Sequence, residues 1–144
     1  MLTHIDEKGN AKIVDISKKN KTKRAAVASG KIYVTKKIFE QIKFNTNTKG
    51  DILTVAKLAG IMAGKNTSSI IPLCHQINLE NIDLVFELNQ ADGYIKATSS
   101  VKCCEKTGAE MEALVATSVS LLTIYDMTKA INKIEKIIFF MNNN

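Results

Sequence analysis

The chain has 144 residues, 45% of them hydrophobic, and a formal net charge of +6 at neutral pH. That length supports one domain with a real core, and no apolar run approaches the roughly 20 residues of a membrane span. The charge is almost all lysine, because Arg24 is the sole arginine; with no Trp either, a nucleic-acid reader built on guanidinium forks and stacking rings is disfavoured.

The opening MLTHIDEKGNAK has no apolar core of a signal peptide. Three cysteines, with Cys103 and Cys104 adjacent, do not make a disulfide framework. Both features predict a cytoplasmic chain with reduced thiols. Ala11–Ile16 is a short strand candidate. The basic run Ser17–Arg24 reads as a solvated loop or as an anion-binding arm. Lys31–Val34 is a second strand candidate, and Thr35 is a good N-cap for a helix burying Ile38, Phe39 and Ile42.

After the polar stretch Asn45–Lys49, Thr48 and Asp51 have the spacing of a capping box. They open a helix from Gly50 to about Lys65 that buries Ile52, Val55, Ala56, Ala59, Met62 and Ala63. Next comes IIPLCHQ, with the chain's one proline, Pro72. Asn78–Leu88 and Tyr94–Val101 alternate as strands around a hairpin loop ending in Gly93. Lys106–Ile131 has the period of one long helix, with Thr107 and Glu110 as its capping box and Met111, Leu114, Val115, Leu121, Leu122 and Tyr125 as its apolar stripe. A last apolar strand, Ile134–Met141, follows. Helices segregated from an antiparallel hairpin predict an α+β fold in a single domain spanning residues 1–144.

Chemistry concentrates at a few positions. Lys49 precedes a helix, where the macrodipole disfavours a cation, so burial there would make it a base; the alternative is an ordinary loop lysine. His75, after Leu73 and Cys74, is either a structural histidine or a ligand, acid/base group or phosphate donor. A zinc site from Cys74, His75, Cys103 and Cys104 lacks the usual ligand spacing. Glu112 lies one turn inside the long helix beside Met111, without the capping role available to Glu110. Asp126 and Lys129 form an i,i+3 pair, structural or acid/base. Met111 and Asp126 are about 22 Å apart along the helix axis yet within about 60° around it. If both ends serve one small substrate, a second, oppositely running copy of the helix must supply the other end.

In this order and at these separations, KGDILTVAKLAGIMAGKNT, IPLCH, KTGAEMEAL and LTIYDMTKA resemble the molybdenum cofactor biosynthesis protein C family, MoaC, and so does the opening LTHIDEKGNAKIVDIS. The resemblance covers roughly residues 2–133. It implies a ferredoxin-like fold, with helices on one face of an antiparallel sheet. It also implies a cyclic pyranopterin monophosphate synthase, a lyase that converts 3′,8-cyclo-7,8-dihydroguanosine 5′-triphosphate, made by a radical-SAM GTP cyclase, into cyclic pyranopterin monophosphate with release of pyrophosphate.

The resemblance further implies a homohexamer, a trimer of dimers with active sites at the dimer interface, and no metal or organic cofactor. It assigns Asp126, Lys129 and Lys49 to catalysis and Leu73, Cys74, His75, Met111 and Glu112 to substrate binding. Three positions depart from the family pattern: Gln76 replaces a proline, Glu105 replaces a glycine, and the sequence lacks the usual Lys- and Gly-bearing C-terminal tail. The missing tail and Gln76 support the alternative, an oligomeric remnant that binds a nucleotide-like ligand without turnover, whereas the retained Lys49, His75, Asp126 and Lys129 support the synthase.

Overall fold

In the computed structural model, which describes residues 3–131 and 136–142, the chain runs β1 (Thr22–Tyr33), α1 (Lys36–Lys43), α2 (Ile52–Lys65), α3 (Thr67–Ile70), β2 (Leu79–Asn89), β3 (Tyr94–Glu105), α4 (Glu110–Thr128) and β4 (Lys136–Asn142). The strands form one sheet in the order β2-β3-β1-β4, and every neighbouring pair is antiparallel. With α2 and α4 as the two crossovers, this is the α+β, ferredoxin-like order expected from the sequence. Among the described residues no helix is long and apolar enough to cross a membrane.

The hairpin between β2 and β3 turns on Gly93, whose φ of 68° suits glycine, and Asn89 Oδ1 accepts from the Asp92 amide at 2.9 Å. Along β3, Ile95, Ala97, Ser99, Val101 and Cys103 are buried. Their register partners on β1 include Ile32, Gly30 and Ala28. The period of two thus sets one face of the sheet against the helices.

The helices pack on this face through small side chains. A Cβ on Gly60 would lie 2.6 Å from Leu84 Cδ1 and 2.7 Å from the Ala116 carbonyl oxygen, and one on Gly64 would meet Ile82, Ala116 and the Glu112 carbonyl. These contacts also fix direction. The end of α2 lies by the start of α4, so the two helices run antiparallel. Beneath α4 runs a buried polar seam: Ser99 Oγ donates to the Ala113 carbonyl at 2.7 Å and lies 2.8 Å from Thr117 Oγ1, which donates to the Ala28 carbonyl at 3.2 Å. Each buried hydroxyl is thereby satisfied.

Several expectations need correction. Ala11–Ile16 is not a strand; Ala11 makes only an isolated bridge to Ile5. Local bonds win there. Asp6 Oδ1 accepts from the Lys8 and Asn10 amides at 2.9 and 2.8 Å, and Asp15 Oδ1 from the Ser17 amide at 2.8 Å. Strand β1 begins at Thr22 rather than Lys31, because pairing along the whole of β3 overrides the polar composition of its first residues. Thr35 caps α1 as expected, with the Ile38 amide 3.4 Å from Thr35 Oγ1. Helix α2 is capped by Asp51 and not by Thr48: Asp51 Oδ1 accepts from the Thr54 amide at 3.1 Å.

Helix α4 is capped by Ala109 without a side-chain bond, so Thr107 does not cap it. Its buried stripe is also not the predicted one. Val115 and Leu121 are inside with Ala113, Ala116, Thr117, Ser120 and Ile124, but Leu122 and Tyr125 are exposed. On α2, Val55 and Met62 are likewise exposed, while Ile52, Ala56, Gly60 and Gly64 are buried. The last strand runs Lys136–Asn142; its expected first residues, Ile134 and Glu135, lie outside the described residues.

Candidate active site

The antiparallel pairing of α2 with α4 has a chemical consequence: it gathers the sequence-predicted residues into two groups, one at each end of α4. At the start of α4, the segment that follows α2 and α3 comes back to the helix. Leu73, Cys74, His75, Met111 and Glu112 line one cleft of about 140 Å³, together with His4, Thr107 and Gly108. A larger hollow of about 550 Å³ lies within the N-terminal arm between Ile5, Lys12 and Asp15 and contains none of the predicted residues.

Within the cleft, Glu112 is only 5% exposed. Burial pushes its carboxyl above the usual carboxylate range, and the neighbouring Glu110 adds to this; its own backbone N–H opposes the shift. Burial, and secondarily the Glu112 charge, raise the thiols of Cys74 and Cys103. A carboxyl held toward its neutral form can donate a hydrogen bond as well as accept one. The His75 ring is engaged: Nε2 lies 2.6 Å from the Val14 carbonyl oxygen. The Glu110 carboxylate folds back over Gly108.

The second group stands at the other end. Lys129 Nζ is 2.7 Å from Asp126 Oδ1, and Lys49 Nζ donates to the Asp126 carbonyl at 3.4 Å. Side chains of the pair are 68% and 53% exposed for Asp126 and Lys129. The hydrogen bond and charge of Lys129 hold the Asp126 carboxyl below its ordinary value, with a smaller contribution from Lys49, and Asp126 raises Lys129 in return. Both therefore stay ionised at neutral pH. Lys49 is exposed, without the burial considered for it from the sequence.

Because α4 is unbroken from Glu110 to Thr128, the two groups are about 22 Å apart along its axis. One chain brings the predicted residues into two groups and does not join them. Alongside runs an apolar strip of Val55, Leu58 and Met62 on α2 and Leu122 and Tyr125 on α4, each more than 40% exposed.

Sequence reasoning missed His4 in the cleft wall and the Val14 carbonyl on His75. A backbone acceptor has no sequence signal, whereas His4 could have been singled out as the second of only two histidines. Glu105, the departure before α4, is paired with Lys21 at 3.3 Å, so its added charge is met within the chain. Among the described residues the three cysteines are free, and no three of His, Cys, Asp and Glu are placed to hold a metal ion.

The family model described as the MoaC family matches residues 13–140. The cyclic pyranopterin monophosphate synthase of Staphylococcus epidermidis is 55% identical over 134 residues, covering 91% of this chain and 83% of that protein. The synthase of the same name from Staphylococcus carnosus is 51% identical over 132 residues, covering 91% and 82%. That from Heliobacterium modesticaldum is 51% identical over 132 residues, covering 92% and 83%.

Proposed function

The chain belongs to the MoaC family, and from that premise we propose that it is a cyclic pyranopterin monophosphate synthase working through a site shared between two protomers. It acts in molybdopterin-precursor synthesis as a lyase. Its substrate is 3′,8-cyclo-7,8-dihydroguanosine 5′-triphosphate, supplied by a radical-SAM GTP cyclase, and its products are cyclic pyranopterin monophosphate and pyrophosphate. It works in the cytoplasm.

The observation that carries the site is the sorting of the predicted residues to the two ends of α4. In an isologous dimer, an antiparallel α4 sets Asp126, Lys129 and Lys49 of one protomer against His75 and Glu112 of the partner subunit. The exposed strip from Val55 to Tyr125 supplies the apolar contact that such a dimer needs, and three dimers make the hexamer.

The ionised Asp126–Lys129 couple offers a base and an acid 2.7 Å apart. With Lys49 it moves the protons that open the guanine-derived imidazole ring and rebuild the pterin. In the cleft, Glu112 and Met111 hold the purine-derived end. His75 and nearby lysines hold the triphosphate while a ribose hydroxyl attacks the α-phosphorus. The attack forms one P–O bond and breaks the bond to the departing pyrophosphate, whose negative charge needs cationic donors nearby. The relatives' shared name does not favour the binding-only alternative.

The test is turnover of the cyclised triphosphate by the purified protein, with pyrophosphate and pyranopterin detected by mass spectrometry. Product from the wild type and none from Asp126→Asn is the expected result. Normal turnover by Lys129→Ala would overturn the assignment of the couple.

A further inference from the structure

The chemistry above leaves the N-terminal arm without a task, yet the arm is fastened to both segments that bound the cleft. On one side, His75 Nε2 lies 2.6 Å from the Val14 carbonyl oxygen. On the other, Lys106 Nζ donates to the Ser17 carbonyl at 3.1 Å, and Lys21 pairs with Glu105 at 3.3 Å. Between these anchors Asp15 Oδ1 holds the Ser17 amide at 2.8 Å. At its far end the arm brings His4 to the cleft wall beside Cys74 and Glu112. Residues 3–16, which form no ladder of the main sheet, thus meet the cleft at Val14 and His4.

The contact at His75 fixes more than position. A carbonyl oxygen only accepts, so the ring nitrogen facing it carries the hydrogen. We infer that the N-terminal arm is a strap closing the His75 side of the cleft, and that Val14 is a positioning residue whose backbone carbonyl locks His75 in its Nε2–H form, leaving Nδ1 as the nitrogen presented to substrate. Neutral His75 then offers the Nδ1 lone pair to a substrate proton. Protonated His75 offers Nδ1–H to an anionic phosphate oxygen. The proton exchanged with substrate is at Nδ1 in both cases, and Nε2–H stays on Val14 throughout. The consequence for turnover rests on the reading of His75 as a substrate-binding residue; the locked ring and the strap belong to the unliganded chain.

Two measurements on the full chain test the strap without substrate. Long-range ¹⁵N–¹H spectra of the ring-labelled protein, with the two histidines assigned through His75→Gln, should give His75 the separated shifts of a fixed Nε2–H tautomer. Averaged shifts, or an Nδ1–H tautomer, overturn the lock. Trypsin cleavage at Lys8 and Lys12 reads the strap itself. His75→Gln keeps an amide N–H where Nε2 stood and should retain the wild-type cleavage rate. His75→Asn is too short to reach Val14 and should be cut about ten-fold faster. Equal rates for the two variants overturn the strap, and if His75→Asn does not fold, the wild-type ring spectrum still decides. Turnover then separates the two ideas: a locked ring and a protected arm, with unaltered turnover in both variants, would leave the strap standing and remove His75 from the substrate site.

Discussion

Replacing Gly60 by alanine puts a methyl group where α2, α4 and β2 come closest. In a helix interior the change by itself favours folding by about 1 kcal/mol, since alanine loses less backbone freedom than glycine. Packing opposes it. The new Cβ would lie 2.6 Å from Leu84 Cδ1 and 2.7 Å from the Ala116 carbonyl oxygen. Leu84 is buried, and the carbonyl is helix backbone. Overpacking of this kind costs roughly 1–3 kcal/mol and more when backbone must move. The net expectation is a loss of up to about 2 kcal/mol, or up to roughly 8 °C in melting temperature for a chain of this size. Urea and thermal unfolding at one fixed protein concentration measure it, the concentration being fixed because assembly would otherwise shift the midpoint. Gly108→Ala is the control: its Cβ would meet the exposed Glu110 carboxylate, which can turn away, so the change should stay within about 0.5 kcal/mol. Gly60→Ala melting at or above the wild-type temperature would show that the helices are not held at this distance.

Glu112→Gln tests the buried carboxyl. Its folded pKa is raised above the unfolded value, so the stability it contributes is fully present below the unfolded pKa and is lost as pH rises through the folded one. The glutamine variant should therefore match the wild type near pH 4 and be the more stable protein at pH 7 and above; a constant difference across that range refutes the shift. Thr117→Val removes the hydroxyl shared by Ser99 and the Ala28 carbonyl and should cost about 1–3 kcal/mol in urea unfolding. Asp126→Asn and Lys129→Ala lie on an exposed pair and should leave the melting temperature nearly unchanged while abolishing turnover; a large loss of stability would make the pair structural. Lys129→Ala mixed and reassembled with His75→Ala should recover about a quarter of wild-type turnover, because half of random dimers carry one intact site of two. No recovery, with mixed dimers confirmed by native mass spectrometry, would place each site within one protomer.

Much of this architecture was legible from periodicity and turn chemistry. The alternation of Ile82, Leu84, Phe86 and Leu88, the glycine at 93 and the period of 106 to 131 gave the hairpin and the long helix their places. Failures came where local bonds or tertiary contacts competed with pattern. Asp6 and Asp15 turned an apparent strand into an arm, and the polar start of β1 became strand because β3 was there to pair with it. The stripe on α4 was misjudged because burial here follows size as well as hydropathy: Ala113, Ala116, Thr117 and Ser120 let the helix sit low on the sheet, and the larger Leu122 and Tyr125 are left outside. Of the candidate site, the residue types and their two-ended placement on α4 were readable in advance. The reach of Val14 and His4 into the cleft was not, since no spacing rule connects an irregular arm to a loop some sixty residues away.

Helix α4 is also a ruler. Between Met111 and Asp126 each residue adds a fixed rise of about 1.5 Å and a turn of about 100°. Substitutions along this span alter packing locally, but inserting or deleting one residue would swing Asp126 and Lys129 a quarter-turn or more from Glu112. A twofold assembly would repeat that error in both of its sites. The span can thus accept many changes of letter and almost none of length, and any lengthening that survived would have to come in whole heptads, moving the half-sites apart along a preserved face.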